Sequence, residues 1–265
     1  MLTIAEGAGP VRPKRYIDSM ARRRFFVDEV RNGRAQIEGD DAHHLTRVLR
    51  VERGQKYELS DNRNVYLAEI ETARKDLVSF VVLDKSPAPQ PLLLVTVVAA
   101  LIKFDSFELL VEKATELGAS SIVPFMAERS EKGLDRAAEK RLSRWRRIAR
   151  EASEQSRRAV LPEISEPASF AEAVAVDAHL RLALEEQPGA PAILSACRTT
   201  SPRSAALLVG PEGGWSDRER VGYIQAGWTP VSLGETVLRA ETAAIAGIAV
   251  IMAAWGNNSA PLESS

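Results

Sequence analysis

The stretch that decides the fold of this chain is Leu-Leu-Val-Gly-Pro-Glu-Gly-Gly-Trp at residues 207–215. An apolar run ends there in a bend marked by Gly210, Gly213 and Gly214. Ser-Asp-Arg-Glu at 216–219 follows directly as a capping box, which predicts the start of a helix. A strand, a glycine bend and a helix start in this order are typical of one edge of the sheet in an α/β protein. The glycines would let a ligand approach the backbone, although an ordinary turn has the same appearance.

A second stretch of the same kind follows at residues 230–242. It predicts a short strand over 230–233 and a bend at Gly234, and a helix over 240–255 that is apolar almost all round comes next. Two such bends at strand ends bring bare backbone N–H and C=O groups together, which predicts a pocket for a nucleotide-like ligand. Because the chain contains neither G-x-G-x-x-G nor G-x-x-x-x-G-K-[ST], the usual dinucleotide and triphosphate sites lose their main support.

Upstream of these bends, the pattern divides the chain into two folded parts. Alternating apolar runs and helical periodicities predict a parallel α/β sheet, with strands at 92–101, 121–125, 179–184 and 205–209, a helix ending at Gly118 and a helix over 136–159. Before it, a small barrel is predicted from strands at 25–27, 57–60, 65–70 and 77–83 and a helix at 40–49 capped by Asp40 or Asp41. The predicted division is a flexible leader (1–22), the barrel (23–86), a proline-rich linker (87–91), the α/β domain (92–257) and a tail (258–265).

The composition is that of a globular protein with a sizeable core. The chain has 265 residues, of which 45% are apolar and 27% charged. A single cysteine, Cys197, excludes an internal disulfide and fits a reducing compartment. No apolar run of membrane-spanning length, no export signal and no Cys/His cluster with metal spacing is visible. We therefore expect a cytoplasmic protein that binds neither a membrane nor a metal.

The net charge of −1 conceals two basic segments. Residues 12–34 contain eight Lys or Arg against three Asp or Glu, and residues 136–158 contain nine against three. Such segments favour a polyanionic partner, because each phosphate contact releases condensed counterions. A solvated helix face and a charged N-terminal arm would produce the same pattern, so both interpretations stay open here.

Six short motifs occur in order along the chain after residue 22. They are His44 with Arg-Val-Leu-Arg at 47–50 and Gly54, Lys-Ala-Thr-Glu-Leu-Gly at 113–118, Glu-Arg-Ser at 128–130, Glu-Gln at 154–155 with Arg158 and Pro162, Gly-Pro-Glu-Gly-Gly at 210–214, and Leu-Arg-Ala-Glu-Thr-Ala at 238–243. On these motifs, nearly the whole chain after the leader resembles the bacterial 16S ribosomal RNA uridine N3-methyltransferases of the SPOUT superfamily.

The resemblance implies a PUA-like β-barrel followed by a SPOUT domain of the α/β class, whose last segment is threaded through a loop as a trefoil knot. It also implies S-adenosylmethionine as the cofactor, a homodimer, and 16S ribosomal RNA of the small ribosomal subunit as the partner. The implied activity is methyl transfer to N3 of a uridine. The alternatives are a non-catalytic RNA-binding or ribosome-assembly factor, a sibling SPOUT RNA methyltransferase with another target, and a nucleotide-dependent enzyme of the ordinary Rossmann type.

The resemblance further assigns residues to the cofactor: Leu184, Gly210, Pro211, Glu212, Gly213, Gly214, Leu233, Gly234, Leu238, Arg239, Glu241 and Thr242. Among them, Glu212 is acidic where a phosphate-binding loop would carry positive charge, so it suits a cationic sulfonium ligand. A capping role in the last helix would equally explain Glu241.

Arg129, Arg158 and Glu154 are the candidate catalytic residues. The arginines would stabilise the anion that forms when N3 loses its proton, and Glu154 is a possible base, as are Glu128 and Glu151. Phosphate contacts or ion pairs within the protein would explain the two arginines equally well. The residues expected to contact RNA are Arg22, Arg23, Arg24, His44, Arg47, Arg50, Arg144, Arg147 and Arg157.

Overall fold

The structure is a computed structural model that describes residues 23–197 and 202–256. The predicted leader with Arg22, and the predicted tail, lie outside the described residues. The strands are β1 (Arg24–Phe26), β2 (Arg34–Glu38), β3 (Lys56–Ser60), β4 (Asn64–Arg74), β5 (Leu77–Pro87), β6 (Leu94–Ala100), β7 (Ser121–Met126), β8 (Glu163–Ile164), β9 (Ala168–Ser169), β10 (Leu180–Leu184), β11 (Ser204–Val209) and β12 (Thr229–Val231). The helices are α1 (Gly39–Arg47), α2 (Phe104–Glu116), α3 (Leu134–Gln155), α4 (Phe170–Val174), α5 (Ile193–Ala196), α6 (Asp217–Gln225) and α7 (Ala240–Ile251).

The first part of the chain forms a five-stranded sheet in the order β1-β3-β4-β5-β2. β1 pairs with β3 in parallel and the other neighbours are antiparallel, so the sheet curves into a half-barrel around a core that includes Phe25, Leu59, Ile70 and Phe80. The predicted small β-domain is therefore confirmed, but β2 was missed. Its sequence, Arg-Ala-Gln-Ile-Glu, contains a single β-branched residue and no aromatic one, so it lacks the composition that marks a strand.

The start of α1 corrects one prediction. Its N-cap is Glu38 and no side-chain hydrogen bond caps it, so the assignment of Asp40 or Asp41 as the cap is wrong. Both aspartates lie within the first turn, where negative charge favours the positive end of the helix dipole. The same residue type thus stabilises the helix start by charge instead of by capping.

The second part is a seven-stranded sheet in which every paired strand is parallel. The order is β12-β10-β11-β6-β7-β8, and β9 also pairs with β7. One face is covered by α2, α3 and α7 through a core that contains Phe107, Trp145 and Ile248, and the other by α4 and α6. The predicted parallel α/β sheet is confirmed. The last helix differs in detail, because α7 ends at Ile251 and a π-helical turn continues over Met252–Gly256.

The two parts are joined where the half-barrel sits on the end of α3. Arg24 pairs with Glu58 at 2.8 Å and donates a second hydrogen bond to the carbonyl of Arg157 at 2.6 Å. Arg150 donates to the carbonyl of Phe26 at 2.9 Å. These contacts hold β1 against the last two turns of α3 and the residues just beyond, at the edge of the parallel sheet where the strands begin.

Candidate functional site

A cavity of about 260 Å³ lies at the opposite edge, where β10, β11 and β12 end. Because the three strands are parallel, their carboxyl ends meet there and the loops that follow form the wall. The start of α7 closes one side. The lining residues are Leu184, Glu185, Glu186, Val209, Gly210, Pro211, Glu212, Gly213, Gly214, Trp215, Val231, Ser232, Leu233, Gly234, Thr236, Val237, Leu238, Ala240 and Ala243.

The glycines of the first bend are required by close approach. A Cβ at Gly210 would lie 2.8 Å from Cε2 of the buried Trp215 ring. Gly214 has a φ of +69°, and a Cβ there would lie 2.5 Å from Oε1 of Glu186. Since any side chain would displace a neighbour, glycine at these positions keeps the backbone of the bend open to the cavity.

Four hydrogen bonds fix this bend to its surroundings. Trp215 Nε1 donates to the carbonyl of Leu184 at 2.8 Å, which ties the bend to the end of β10. Ser216 forms the predicted capping box with Glu219, and its hydroxyl also donates to Glu128 at 2.6 Å. The first bend is therefore held between the loops that follow β7 and β10.

The second bend is held against the loop that follows β10. The Glu185 N–H donates to the carbonyl of Val231 at 2.9 Å, and the Ser232 N–H donates to that of Pro191 at 2.8 Å. Gly234, with a φ of +139°, turns the chain back, and its N–H donates to the Ser232 hydroxyl at 3.1 Å. Both glycine bends thus rest on the segment after β10, which forms the floor between them.

The floor is acidic and well ordered by hydrogen bonds. Glu185 Oε2 accepts from Arg220 Nε at 2.9 Å and from the Tyr223 hydroxyl at 2.7 Å. Burial alone would raise the pKa of Glu185, but the hydrogen bonds from Arg220 and Tyr223 outweigh it and hold that pKa below its ordinary value. Burial, together with the neighbouring Glu185 carboxylate, raises the pKa of Tyr223. Glu185 is therefore ionised and Tyr223 neutral at pH 7.

Most residues assigned to the cofactor line this cavity: Leu184, Gly210, Pro211, Glu212, Gly213, Gly214, Leu233, Gly234 and Leu238. Arg239, Glu241 and Thr242 do not belong to its wall. Arg239 is the N-cap of α7, and Glu241 is buried in the first turn, where it accepts a hydrogen bond from the Ser106 hydroxyl at 3.2 Å. Thr242 is exposed in the same turn. These three residues shape the start of α7 instead of lining the pocket.

Some wall residues were missed by sequence reasoning. Glu185 and Glu186 directly follow the end of β10, and Thr236 and Val237 lie in the second bend. A signal for the two glutamates was present, since they stand at the carboxyl end of a predicted strand, where ligands bind in open α/β sheets. Nothing in the sequence told that strand apart from the other parallel strands.

The structure separates the three candidate catalytic residues. Arg129 lies at the pocket, where its Nη1 donates to the carbonyl of Gly213 at 3.1 Å. Arg158 lies at the other edge of the sheet, with Nη1 donating to the carbonyl of Thr115 at 2.7 Å. The six residues of β7 separate these edges by roughly 20 Å. Arg158 therefore cannot act together with Arg129 in the pocket of its own chain. Its guanidinium instead binds a carbonyl in the last turn of α2.

Glu154 lies on the same side as Arg158, against the half-barrel. Burial raises its pKa to about 7, although a hydrogen bond from the Phe26 N–H and the charge of Arg150 both oppose the shift. Burial also lowers the pKa of Arg158 to about 10. Of the possible bases, Glu128 alone is at the pocket edge, since Glu151 is exposed on α3 and pairs with Arg147 at 3.6 Å.

The residues expected to contact RNA fall into two groups. Arg23, His44, Arg47 and Arg50 are exposed on the half-barrel, the last three at and just beyond the end of α1. Arg24, by contrast, is buried in the ion pair with Glu58. The structure therefore places Arg24 inside the protein, away from any RNA surface.

Several arginines of the basic segment 136–158 bind groups within the protein. Arg144 binds Glu108 through Nε at 2.6 Å and Nη2 at 2.7 Å, and its hydrogen bond is the main reason that the pKa of Glu108 is lowered. Arg157, at a φ of +58°, lies 3.4 Å from Glu58. Arg147 remains exposed and pairs only loosely with Glu151. Ion pairs within the protein thus account for Arg144 and Arg157, whereas the sequence of this segment predicted either a phosphate-binding face or a solvated helix face.

Residues 23–197 and 202–256 lack two further features. No helix in these ranges has both the length and the apolarity to cross a membrane. Within the same ranges, no three His, Cys, Asp or Glu side chains come together as a metal site.

The sequence matches two family models. An RNA methyltransferase domain matches residues 88–252, and an RNA methyltransferase PUA domain matches residues 37–83. Ribosomal RNA small subunit methyltransferase E of Synechocystis sp. is 34% identical over 218 residues, which cover 80% of this chain and 70% of that protein. The protein of the same name from Bacillus subtilis is 32% identical over 226 residues, covering 81% and 88%.

Solved structures agree with these matches. Ribosomal RNA small subunit methyltransferase E from Neisseria gonorrhoeae, bound to S-adenosyl methionine, has a TM-score of 0.80 and 27% identity over 90% of this chain and 100% of its own. A Legionella pneumophila protein with bound cofactor SAM has a TM-score of 0.81 and 29% identity over the same shares.

Proposed function

The chain belongs to the RNA methyltransferase family that includes ribosomal RNA small subunit methyltransferase E, and from this premise we propose that it methylates N3 of a uridine in 16S ribosomal RNA. The enzyme class and the cofactor, S-adenosylmethionine, follow from the family and from similar proteins solved with that cofactor. The atom that is modified and the RNA that carries it are the proposal, supported by the resemblance of the six motifs.

The chemistry of the cavity supports the cofactor on which the proposed methyl transfer depends. Its wall holds three carboxylates, those of Glu185, Glu186 and Glu212, and among the described lining residues no Lys, Arg or His. Such a wall repels phosphate groups and suits a ligand with a sulfonium cation. Glycine backbone on two sides suits a nucleoside, which binds by close backbone approach and apolar contact.

S-adenosylmethionine would supply an electrophilic methyl group that needs positioning more than activation. The chain's own part is to hold uridine with N3 facing the pocket and to stabilise the anion that remains when N3 loses its proton. Arg129 is an exposed arginine at this edge, and its guanidinium is bound to the carbonyl of Gly213. We therefore assign charge stabilisation at O2 or O4 of the base to Arg129. Glu128, held by Ser216, is the neighbouring carboxylate that can take the proton.

RNA would reach this edge across the exposed basic residues. We propose that Arg23, His44, Arg47 and Arg50 on the half-barrel and Arg147 on α3 contact RNA, since these side chains are exposed. Arg24, Arg144, Arg157, Arg158 and Glu154 are not included, because internal partners or burial account for them. The resemblance also supports a homodimer, a trefoil knot in the last segment and a cytoplasmic location, where ribosomes are made.

The experiment is a modification map of 16S ribosomal RNA from cells with and without the gene. Methylation at N3 blocks the Watson–Crick edge of uridine, so reverse transcription should stop one nucleotide before it in wild-type RNA alone. Mass spectrometry of the same fragment should show a monomethylated uridine that is lost in the deletion. A ribose or C5 methyl group would leave the extension intact and would favour a sibling enzyme.

Purified protein provides the second half of the test. Assembled small subunits and free 16S RNA from the deletion strain should be compared as acceptors of a labelled methyl group. We expect Arg129→Ala to reduce incorporation about 100-fold while cofactor binding changes little, because one oxyanion-stabilising donor contributes about two to three powers of ten. RNA binding without any methyl incorporation by the wild-type protein would favour the non-catalytic assembly factor.

A further inference from the structure

Glu185 and Glu186 are adjacent on the pocket floor but differ in their free hydrogen-bonding capacity. Glu185 accepts four hydrogen bonds, from Arg220 Nε and Nη2, the Tyr223 hydroxyl and the Gln187 N–H. Its side chain is 7% exposed. Both of its oxygens are therefore fully occupied, and Glu185 acts as a structural anchor for the floor.

Glu186 keeps one carboxylate oxygen available. Its Oε1 accepts from Arg220 Nη2 at 2.8 Å, and no hydrogen bond from any residue that the structure describes reaches Oε2. The side chain is 37% exposed and lies against Gly214, the closing glycine of the first bend. The cavity is thus in contact with a carboxylate that Arg220 holds in place through one oxygen, while its other oxygen can still accept a hydrogen bond.

The cation beside Glu186 does not cancel its charge. Arg220 is shared among Glu185, Glu186 and Asp217, which lie at 2.9, 2.8 and 3.3 Å from its guanidinium nitrogens. Three carboxylates around one guanidinium leave two negative charges. Because Glu185 and Arg220 are largely buried and Asp217 faces solvent, the part of this charge that faces the cavity is carried by Glu186.

We infer that, of the two glutamates on the pocket floor, Glu186 is the one by which the pocket distinguishes S-adenosylmethionine from its demethylated product. The two molecules share the adenosine and the amino-acid group and differ by a methyl group and by one positive charge, on the sulfonium. A carboxylate at the rim attracts that charge and leaves the neutral thioether unaffected. The inference depends on the cofactor alone and not on which base of the RNA is methylated. Its physical consequence is that methyl transfer itself lowers the affinity of the pocket for the bound molecule, because the product has lost the positive charge.

Titration calorimetry of the full chain, without RNA, tests this directly. The probes are S-adenosylmethionine, S-adenosylhomocysteine and sinefungin, which has a protonated amine in place of the sulfonium. For Glu186→Gln we expect about tenfold weaker binding of the two cationic ligands, equivalent to about 1.4 kcal/mol. We expect less than a twofold change for S-adenosylhomocysteine. The ratio of the two affinities is measured on one preparation, so a partly misfolded fraction does not affect it.

Asp217→Asn is the matched control, because Asp217 pairs with the same guanidinium but does not line the cavity. It should leave all three affinities within twofold. The inference is overturned if Glu186→Gln lowers the affinities for cofactor and product equally, if it changes neither, or if Asp217→Asn reproduces its effect. Absence of cofactor binding by the wild-type chain would instead contradict the proposed function.

Discussion

The two edges of the parallel sheet differ in their charged side chains and in how far their backbone is exposed. Where the strands end, glycine bends leave backbone exposed and carboxylates surround a cavity. Where the strands begin, arginines from α3 and the segment after it are bound to carbonyls and carboxylates, and the half-barrel is seated on them. The first edge is open and negative, and the second is closed by arginines whose guanidinium groups bind partners within the protein.

A run of basic residues in the sequence therefore does not by itself predict a nucleic-acid-binding surface. Segment 136–158 carries nine Lys or Arg in its sequence, yet Arg144, Arg150, Arg157 and Arg158 all have partners within the protein. A guanidinium has five donors in a planar fork, so it readily closes helix ends and joins domains. Charge pattern alone does not separate this role from phosphate binding.

The largest effect that would test this contrast is expected from Arg24→Ala. The variant leaves the buried Glu58 without its closest cation, and breaking a buried pair typically costs about 3–5 kcal/mol. Urea unfolding should show that loss, while cofactor affinity should stay unchanged because the pocket is at the other edge. Arg34→Ala, which removes an exposed pair with Glu71, should cost less than about 1 kcal/mol. If the Arg24 variant had normal stability but weak RNA binding, Arg24 would have to be counted among the residues that contact RNA.

Gly214→Ala should have the next largest effect, at the open edge. The added methyl group would lie 2.5 Å from Oε1 of Glu186 at a φ of +69°, so the backbone of the bend is strained and the Glu186 carboxylate must move from its place beside the cavity. We expect cofactor affinity to fall about 100-fold, equivalent to about 2.7 kcal/mol. Gly189→Ala is the control, since Gly189 has a φ of +103° but nothing within 4 Å of its added methyl. Equal affinities for the two variants would show that backbone strain, and not close approach, governs the bend.

Glu154 makes the closed edge sensitive to pH. Its pKa in the folded protein is about 7, against an ordinary value of 4.5, so folding favours the protonated form. Its contribution to stability is complete below about pH 4.5 and is lost as the pH rises through 7. Glu154→Gln should therefore become more stable than wild type above pH 7, by about 2 kcal/mol at roughly 1.4 kcal/mol per pKa unit with allowance for partial exposure. Unfolding curves at pH 5 and pH 8 decide this, and a stability difference that does not change with pH would contradict it.

The smallest effects are expected on the exposed half-barrel. Arg47→Gln and Arg50→Gln should each weaken RNA binding about three- to fivefold and reduce the salt dependence by about one phosphate contact. Arg144→Gln should leave RNA binding within twofold, because its guanidinium is committed to Glu108. Filter binding between 50 and 200 mM salt measures both quantities. If Arg144→Gln weakens RNA binding more than Arg47→Gln, α3 and not the half-barrel is the RNA surface.

Some features of the fold and the site follow from local sequence. The parallel sheet was predictable because apolar runs that alternate with helical periodicity require a strand and a covering helix wherever they occur. The bend at 210–214 was predictable because glycine is needed where backbone approaches a neighbour, here the Trp215 ring and Glu186. The short β2 was not predictable, since its five residues include a single β-branched residue and no aromatic one.

Sequence was therefore sufficient for the division into a small β-domain and a parallel α/β sheet, for the position of both glycine bends and for the family. Which charged side chains bind partners within the protein depends on the tertiary structure. Arg24 meets a residue 133 positions away, Arg144 meets one 36 positions away, and Glu186 meets Arg220 34 positions away. Propensity and periodicity act over a few neighbouring residues, whereas an ion pair forms between any two groups that packing brings within about 4 Å. Which arginines bind within the protein and which glutamate faces the pocket are consequences of that packing.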